Sequence, residues 1–293
     1  MIAYSYLRMS FILIKNFFLK VLDILLVPFK SELTWVFIDD SFNNDAGLAT
    51  LTSIFIPQRK MESITIDFYK ILSQIIDKFP KKNAHSRIIY SAPVLHGDSL
   101  LKNGKKENST LDFSNIDDDF RIKIFNDIID LVIKHKLRIV RLGYNNYDEL
   151  SKMNFKQNQM DNLNWIGLST YIDRSLKIKK AVCVMEGNND KMIHALSAWL
   201  SSAKETSYLY PDLEKSSAFK NSKKFIGNVF YVNARYCEYL QIADVIGYIL
   251  HKKDYIDITG NRSDFSKRIY ELQPRLEKNI ESNELNRLSI NGA

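Results

Sequence analysis

The chain's 293 residues, 45% hydrophobic and 12% aromatic, are enough for a sizeable core and exclude a disordered protein. Lys and Arg outnumber Asp and Glu by 41 to 34, which gives a formal charge of +7 and a pI of about 9.1, a basic excess compatible with a polyanionic partner without requiring one. Two distant cysteines, Cys183 and Cys237, form no CxxC pair, which excludes a zinc knuckle or disulfide scaffold and fits a reducing, cytoplasmic compartment.

The first distinctive segment is SFILIKNFFLKVLDILLVPFK, residues 10–30. Lys15, Asn16, Lys20 and Asp23 interrupt it, so it lacks the ~20 nearly unbroken apolar residues of a membrane span, and no small-residue cleavage site marks it as a secretory signal. Asn16, Lys20 and Asp23 recur at i, i+4, i+7 as a narrow polar stripe, and Pro28 ends the pattern. A helix packed on its own domain is the first reading. A helix that binds a second copy or another protein is the second, and a membrane-surface helix the third.

Next comes TWVFIDD, a predicted strand over 34–39 that ends on Asp39 and Asp40. The turn formers DSFNNDAG follow, then a second, antiparallel strand over 48–56. Apolar residues at helical spacing predict a helix over 62–79, stopped by Pro80, and a third strand is expected over 86–95. A polar loop, basic in its middle, covers 96–115. A helix with acidic residues in its first turn covers 117–136, where those charges suit the helix dipole. Strand 137–145 follows, then at least one helix within 148–178, strand 179–187, and a helix over 189–204 capped by Asn189 or Asp190. Strand 225–233, helix 237–253 and a last amphipathic helix over about 264–282 complete the order.

Strands alternating with helices imply an α/β fold, a mixed sheet with helices packed on it. No long Pro/Gly/Ser-rich linker divides it. The expected organisation is one domain over 34–255, with an N-terminal helical extension over 1–33 and a C-terminal helical tail over 256–293.

Three acids stand where burial should discourage them: Asp39 at the end of the first strand, Glu186 at the end of AVCVME, and Asp244 inside YLQIADVIGYIL. Asp39 or Glu186 alone reads as an ordinary strand-end turn former. Asp244 is more informative, because its helix is apolar nearly all round and therefore buried. Gln241, Asp244 and Tyr248 share one face at i, i+3, i+7, and Cys237 and His251 extend it. The stripe is either a narrow solvent face or a buried polar row that needs partners, and the second is preferred.

Carboxylates gathered from distant segments make oxygen-ligand sites for Mg or Mn, and paired metals of that kind serve phosphodiester cleavage. Asp39, Asp40, Glu186 and Asp244 are the candidates for such a site, with Asp190 as a spare whose simpler role is a helix cap. His96, directly after the third strand, is a candidate ligand or proton shuttle, or part of an ordinary turn with Gly97 and Asp98. No phosphate loop, GxGxxG, GxSxG or HExxH motif is present. Lys-rich stretches at 79–87, 102–108 and 219–225 are candidate phosphate contacts or plain solvated loops.

Together, FIDDS, LHG, a buried strand ending in an acid and the late YLQIADVIGYIL resemble the bacterial domain of unknown function 3800 family, of the ribonuclease H-like group, over roughly residues 34–253. That resemblance implies a ribonuclease H-like central mixed sheet flanked by helices. It matches Asp39, Asp244, Gln241 and His96 to the family's motif residues, with Asp40 where Glu is usual and Phe42 where Gly is usual. It implies a metal-dependent nuclease in which Asp39, Glu186 and Asp244 bind Mg or Mn. Asp40 and His96 would then assist or transfer protons, Gln241 would orient Asp244, and nucleic acid would be the substrate. The alternative is a non-catalytic binding or interaction protein on the same fold, with a degenerate metal site.

Overall fold

The computed structural model describes residues 33–43, 47–78, 95, 97, 100, 116–144, 164, 167–172, 174–186, 224–226, 229–234, 237–260 and 263–286. The apolar segment 10–30, most of the expected strand 86–95, most of the 96–115 loop, the helix expected over 189–204, His96 and Asp190 lie outside the described residues. The basic stretches do too, except for Lys224 and Phe225.

Strand β1 (Leu33–Asn43) and strand β2 (Leu48–Pro57) form the expected antiparallel pair, in register from Thr34 opposite Pro57 to Asn43 opposite Leu48. Gly47, at φ +59°, stands just before β2, a backbone region that glycine enters without steric cost. Strand β3 (Arg138–Tyr144) adds antiparallel to the far side of β2, and β4 (Lys180–Glu186) adds parallel to β1. A short β5 (Phe230–Val232) extends β4, and β6 (Ile280–Asn286) extends β3, both in parallel. The sheet order is thus β5-β4-β1-β2-β3-β6.

Helix α1 (Met61–Lys78) begins close to the end of β2. Helix α2 (Asp118–Lys134) starts at Asp117, whose carboxylate accepts the Phe120 N–H at 2.7 Å, and Asp118 and Asp119 fill its first turn. Helix α3 (Glu238–Thr259) is longer than the 237–253 predicted, because the chain stays helical until Gly260 takes φ +68° and closes it. These three helices and α4 (Asp264–Tyr270) cover one face of the sheet, where Phe37, Ile54, Ile139 and Val184 meet Phe68, Phe125 and Ile246. The opposite face carries Val36, Ile38, Phe55 and Val140 against Leu168, Ile172 and Phe225. Strands with apolar residues on both faces need cover on both, and the chain supplies it.

The single helix predicted over 264–282 is corrected, and with it the purely helical C-terminal extension. Pro274 has no amide proton to donate and disfavours helix at the residue before it. The helix therefore stops at Tyr270, a 3₁₀ stretch spans Gln273–Asn279, and the next residues form a strand on β3. The predicted strand 225–233 shrinks to Phe230–Val232, with an isolated bridge between Ala181 and Phe225.

Between α3 and the sheet lies a buried charge pair. Arg141 on β3 is fully buried, and its guanidinium pairs with Asp254 of α3. His251 lies one helical turn before Asp254. Burial first, then the charges of Arg141 and Lys252, push its imidazole down to about 4, so it is neutral in a neutral solution.

Removing one partner of a buried pair strands the other. Asp254→Ala is expected to lower unfolding free energy by about 3–5 kcal/mol in urea titrations. His251 imposes a separate acid limit. Its folded pKa lies below the ordinary 6.5, so the unfolded chain binds the proton first, and stability is lost as pH falls from about 6.5 toward about 4. The full loss is on the order of 3 kcal/mol, and His251→Gln is expected to flatten that limb of the stability–pH curve.

Candidate functional site

Strand register sets the site. On the face under α3, Asp39 of β1 stands opposite Thr52 of β2, and Thr52 stands opposite Arg141 of β3. On the other side of β1, the parallel register runs to Ile38 beside Met185, and its continuation sets Glu186 beside Asp39. A polar row therefore crosses four strands in the order Glu186, Asp39, Thr52, Arg141. Side-chain alternation turns Asp40 to the opposite face, with Val36 and Ile38, where it is exposed.

Helix α3 is laid over this row. Its Tyr239 ring packs on Phe37, its Gly247 sits above Asp39 and Thr52, and its Asp254 reaches Arg141. The helix contributes Asp244 one turn before Gly247, so Asp244 and Asp39 share one end of the row. Asp39 keeps part of its surface open. Burial first, then repulsion from Asp244, Asp40 and Glu186, holds its carboxyl well above the usual carboxylate range. Ser41 donates to Asp39 Oδ2 at a long 3.5 Å and offsets this only weakly. The cation of the row does not help, because Arg141 is paired with Asp254.

The polar stripe of α3 has a second use. Asp244 Oδ2 accepts the Gly97 N–H at 2.9 Å, and Gln241 Oε1 accepts the Leu95 N–H at 2.8 Å. Gln241 Nε2 donates to the Ala234 carbonyl at 3.0 Å. Thus Gln241, expected to orient Asp244, instead fastens two backbone segments with its amide. Asp244 is oriented by the Gly97 amide. Tyr248 serves packing: a Cβ at Gly97 would come within 2.5 Å of Tyr248 Cβ, and its ring lies 6.3 Å from that of Phe125. Only a glycine backbone passes that close to the tyrosine. Residues 95 and 97 are thereby held against the helix that carries Asp244. His96 between them, like the spare acid Asp190, lies outside the described residues.

Asp39, Glu186 and Asp244 are brought to one end of α3 as a set of mutually repelling carboxylates, with Asp40 on the far face of the same strand end. Such a set of oxygen donors fits a hard divalent ion in its chemistry. In its spacing it does not close: among the described residues, no three His, Cys, Asp or Glu side chains stand close enough to hold one metal ion.

Sequence reasoning missed four residues of this region: Thr52, Gly247, Arg141 and Asp254. Arg141 carried a readable signal, since an Arg inside the apolar stretch IVRLGY needs an acid across from it. Thr52 and Gly247 carried none until the register placed them over Asp39.

No protein-family model, no curated protein and no solved structure matches the chain. What the described residues define is an α/β protein with a six-stranded mixed sheet flanked by helices. Among its described residues no helix is long and apolar enough to cross a membrane.

The raised Asp39 carboxyl has a consequence for stability. Folded Asp39 holds its proton more tightly than the unfolded chain does, so its contribution to stability declines as pH rises from the ordinary carboxylate range through the raised folded value. Asp39→Asn removes the repelling charge. It is expected to raise the melting temperature at pH 7 by roughly 2–4 °C for each kcal/mol regained, and to abolish that decline, as read by calorimetry across pH 4–8.

Proposed function

We propose that the chain is a divalent-metal-dependent phosphodiester hydrolase acting on nucleic acid, with Asp39, Glu186 and Asp244 as the ligands of Mg or Mn. The observation that carries this reading is the concentration of negative charge on Asp39. Burial first, and then three carboxylates from β1, β4 and α3, raise its proton affinity, while among the described residues the Arg of the same row is paired with Asp254. Proteins rarely keep such an arrangement without a cation or a catalytic use for it.

The mixed sheet agrees with the ribonuclease H-like architecture that the resemblance implies. Three antiparallel strands are continued by two strands parallel to β1, and helices lie on the face that carries the acids. Bound at the acids, Mg or Mn would supply Lewis-acid polarisation of a phosphoryl oxygen. The chain's own part is to hold the carboxylates. The Gly97 N–H fixes one oxygen of Asp244, β1 and β4 set Asp39 and Glu186 side by side, and α3 excludes water from the inner side of Asp39. The basic excess of the chain is compatible with a polyanionic substrate.

A second reading is favoured by a specific observation. With no three-ligand group among the described residues, the same fold serves equally as a binding or interaction protein whose acids no longer hold metal. The two readings part in one assay. Purified chain with Mn is expected to cleave at least one of labelled single-stranded DNA, duplex DNA, RNA or RNA–DNA hybrid. Asp39→Asn and Asp244→Asn are expected to lower the rate by at least the 10–100-fold that loss of a merely supporting partner costs a metal site, with circular dichroism unchanged. Cleavage that survives both substitutions, or none by wild type on any substrate, sinks the hydrolase reading.

A further inference from the structure

We propose that Thr52 and Gly247 are positioning residues for Asp39: the glycine leaves the space between α3 and the sheet into which the carboxylate fits, and the threonine hydroxyl is its reserve hydrogen-bond donor. The inference rests on the reading of Asp39 as a metal ligand.

The geometry is specific to these two positions. A Cβ at Gly247 would lie 3.0 Å from Asp39 Oδ2, 3.3 Å from Thr52 Oγ1 and 3.4 Å from Thr52 Cβ. Carboxylate and hydroxyl therefore flank a single point on the helix underside. The first two contacts are tighter than a methyl group accepts without its neighbours moving. Asp39 is the neighbour free to move, since its oxygen ends a short side chain whose one donor, Ser41, is 3.5 Å away. Alanine at 247 would displace it toward the open side of the site.

Thr52 supplies the other half. It is 1% exposed, its register partner across the hairpin is Asp39, and its Oγ1 is buried with no hydrogen-bond partner. A buried hydroxyl without a partner is costly and uncommon. Rotation about its Cα–Cβ bond re-aims the hydroxyl, and the Asp39 carboxylate, its register partner, flanks the same point beneath Gly247. A hydroxyl that bonds to the ionised ligand fixes its direction, the part that outer partners play around metal sites.

Three variants of the full chain test this: Thr52→Val keeps the shape and loses the donor, Thr52→Ser keeps the donor, and Gly247→Ala adds the methyl. Mn binding is measured from the free-ion electron paramagnetic resonance signal, and the Asp39 carboxyl carbon is followed by nuclear magnetic resonance, assigned by its loss in Asp39→Asn. Thr52→Val and Gly247→Ala are expected to weaken Mn binding about 10–100-fold, and Thr52→Ser to stay within about twofold of wild type. Gly247→Ala is expected to melt no lower than wild type, because alanine is the better helix former, which separates positioning from folding. Unchanged Mn affinity in both Thr52→Val and Gly247→Ala overturns the proposal. If wild type binds no Mn, the hydrolase reading falls and the resonance decides: a shift in Thr52→Val and Gly247→Ala, reversed in Thr52→Ser, upholds the positioning, and an unmoved resonance overturns it. If Gly247→Ala does not fold, the two threonine variants decide alone.

Discussion

A helix that is apolar around most of its surface must lie on the core, and any polar residue it carries must then be matched from below. In this chain that requirement falls on α3. Its polar positions meet a single polar row of the sheet, and they meet it in two different ways. At one end Asp254 finds Arg141, and the charges cancel. At the other, Asp244 finds Asp39 and Glu186, and the charges add. The same helix thus anchors itself by an ion pair at its C-terminal half and joins a cluster of acids at its N-terminal half.

The two ends support each other. A set of like charges pushes α3 away from β1, and the pair under its other end holds it down. Between them, at Gly247, an added Cβ would lie 3.0 Å from Asp39, so the helix runs close over the sheet there. The backbone amides of Leu95 and Gly97 add a third attachment through Gln241 and Asp244, so the residues that resemble a family signature also tie a distant segment to the core.

Much of this was legible in the sequence because it depends on local pattern. The hairpin of β1 and β2, the amphipathic spacing of α1, the acidic start of α2 and the buried character of α3 each follow from short-range periodicity and end signals. Asp39 and Asp244 stood out because each violated the pattern around it. What stayed hidden depends on register. Nothing in the neighbourhood of Thr52 announces that it will face Asp39, and nothing near Arg141 names Asp254, more than a hundred positions away, as its counter-charge. Asp40, adjacent to Asp39 in sequence, separates from it in space because a strand sends consecutive side chains to opposite faces. The strand β6 escaped for another reason. IESNELN is polar and carries little β-branched character, and it forms a strand only because β3 offers it an unpaired edge.

That last strand bears on how the molecule tolerates shortening. β6 occupies the outer side of β3 from Ile139 to Tyr144, with a shift in register between Ile139 and Val140. A chain cut after Tyr255, where the run of recognisable motifs has ended, would lose both the tail of α3 and this cover. Six consecutive residues of β3, most of them apolar, would then present bare amides and carbonyls to any passing strand, which is the condition under which sheets recruit one another into aggregates. The polar, charged residues of β6 make it a suitable outermost strand in a way that β3 is not, so β6 acts as a guard on the sheet's rim.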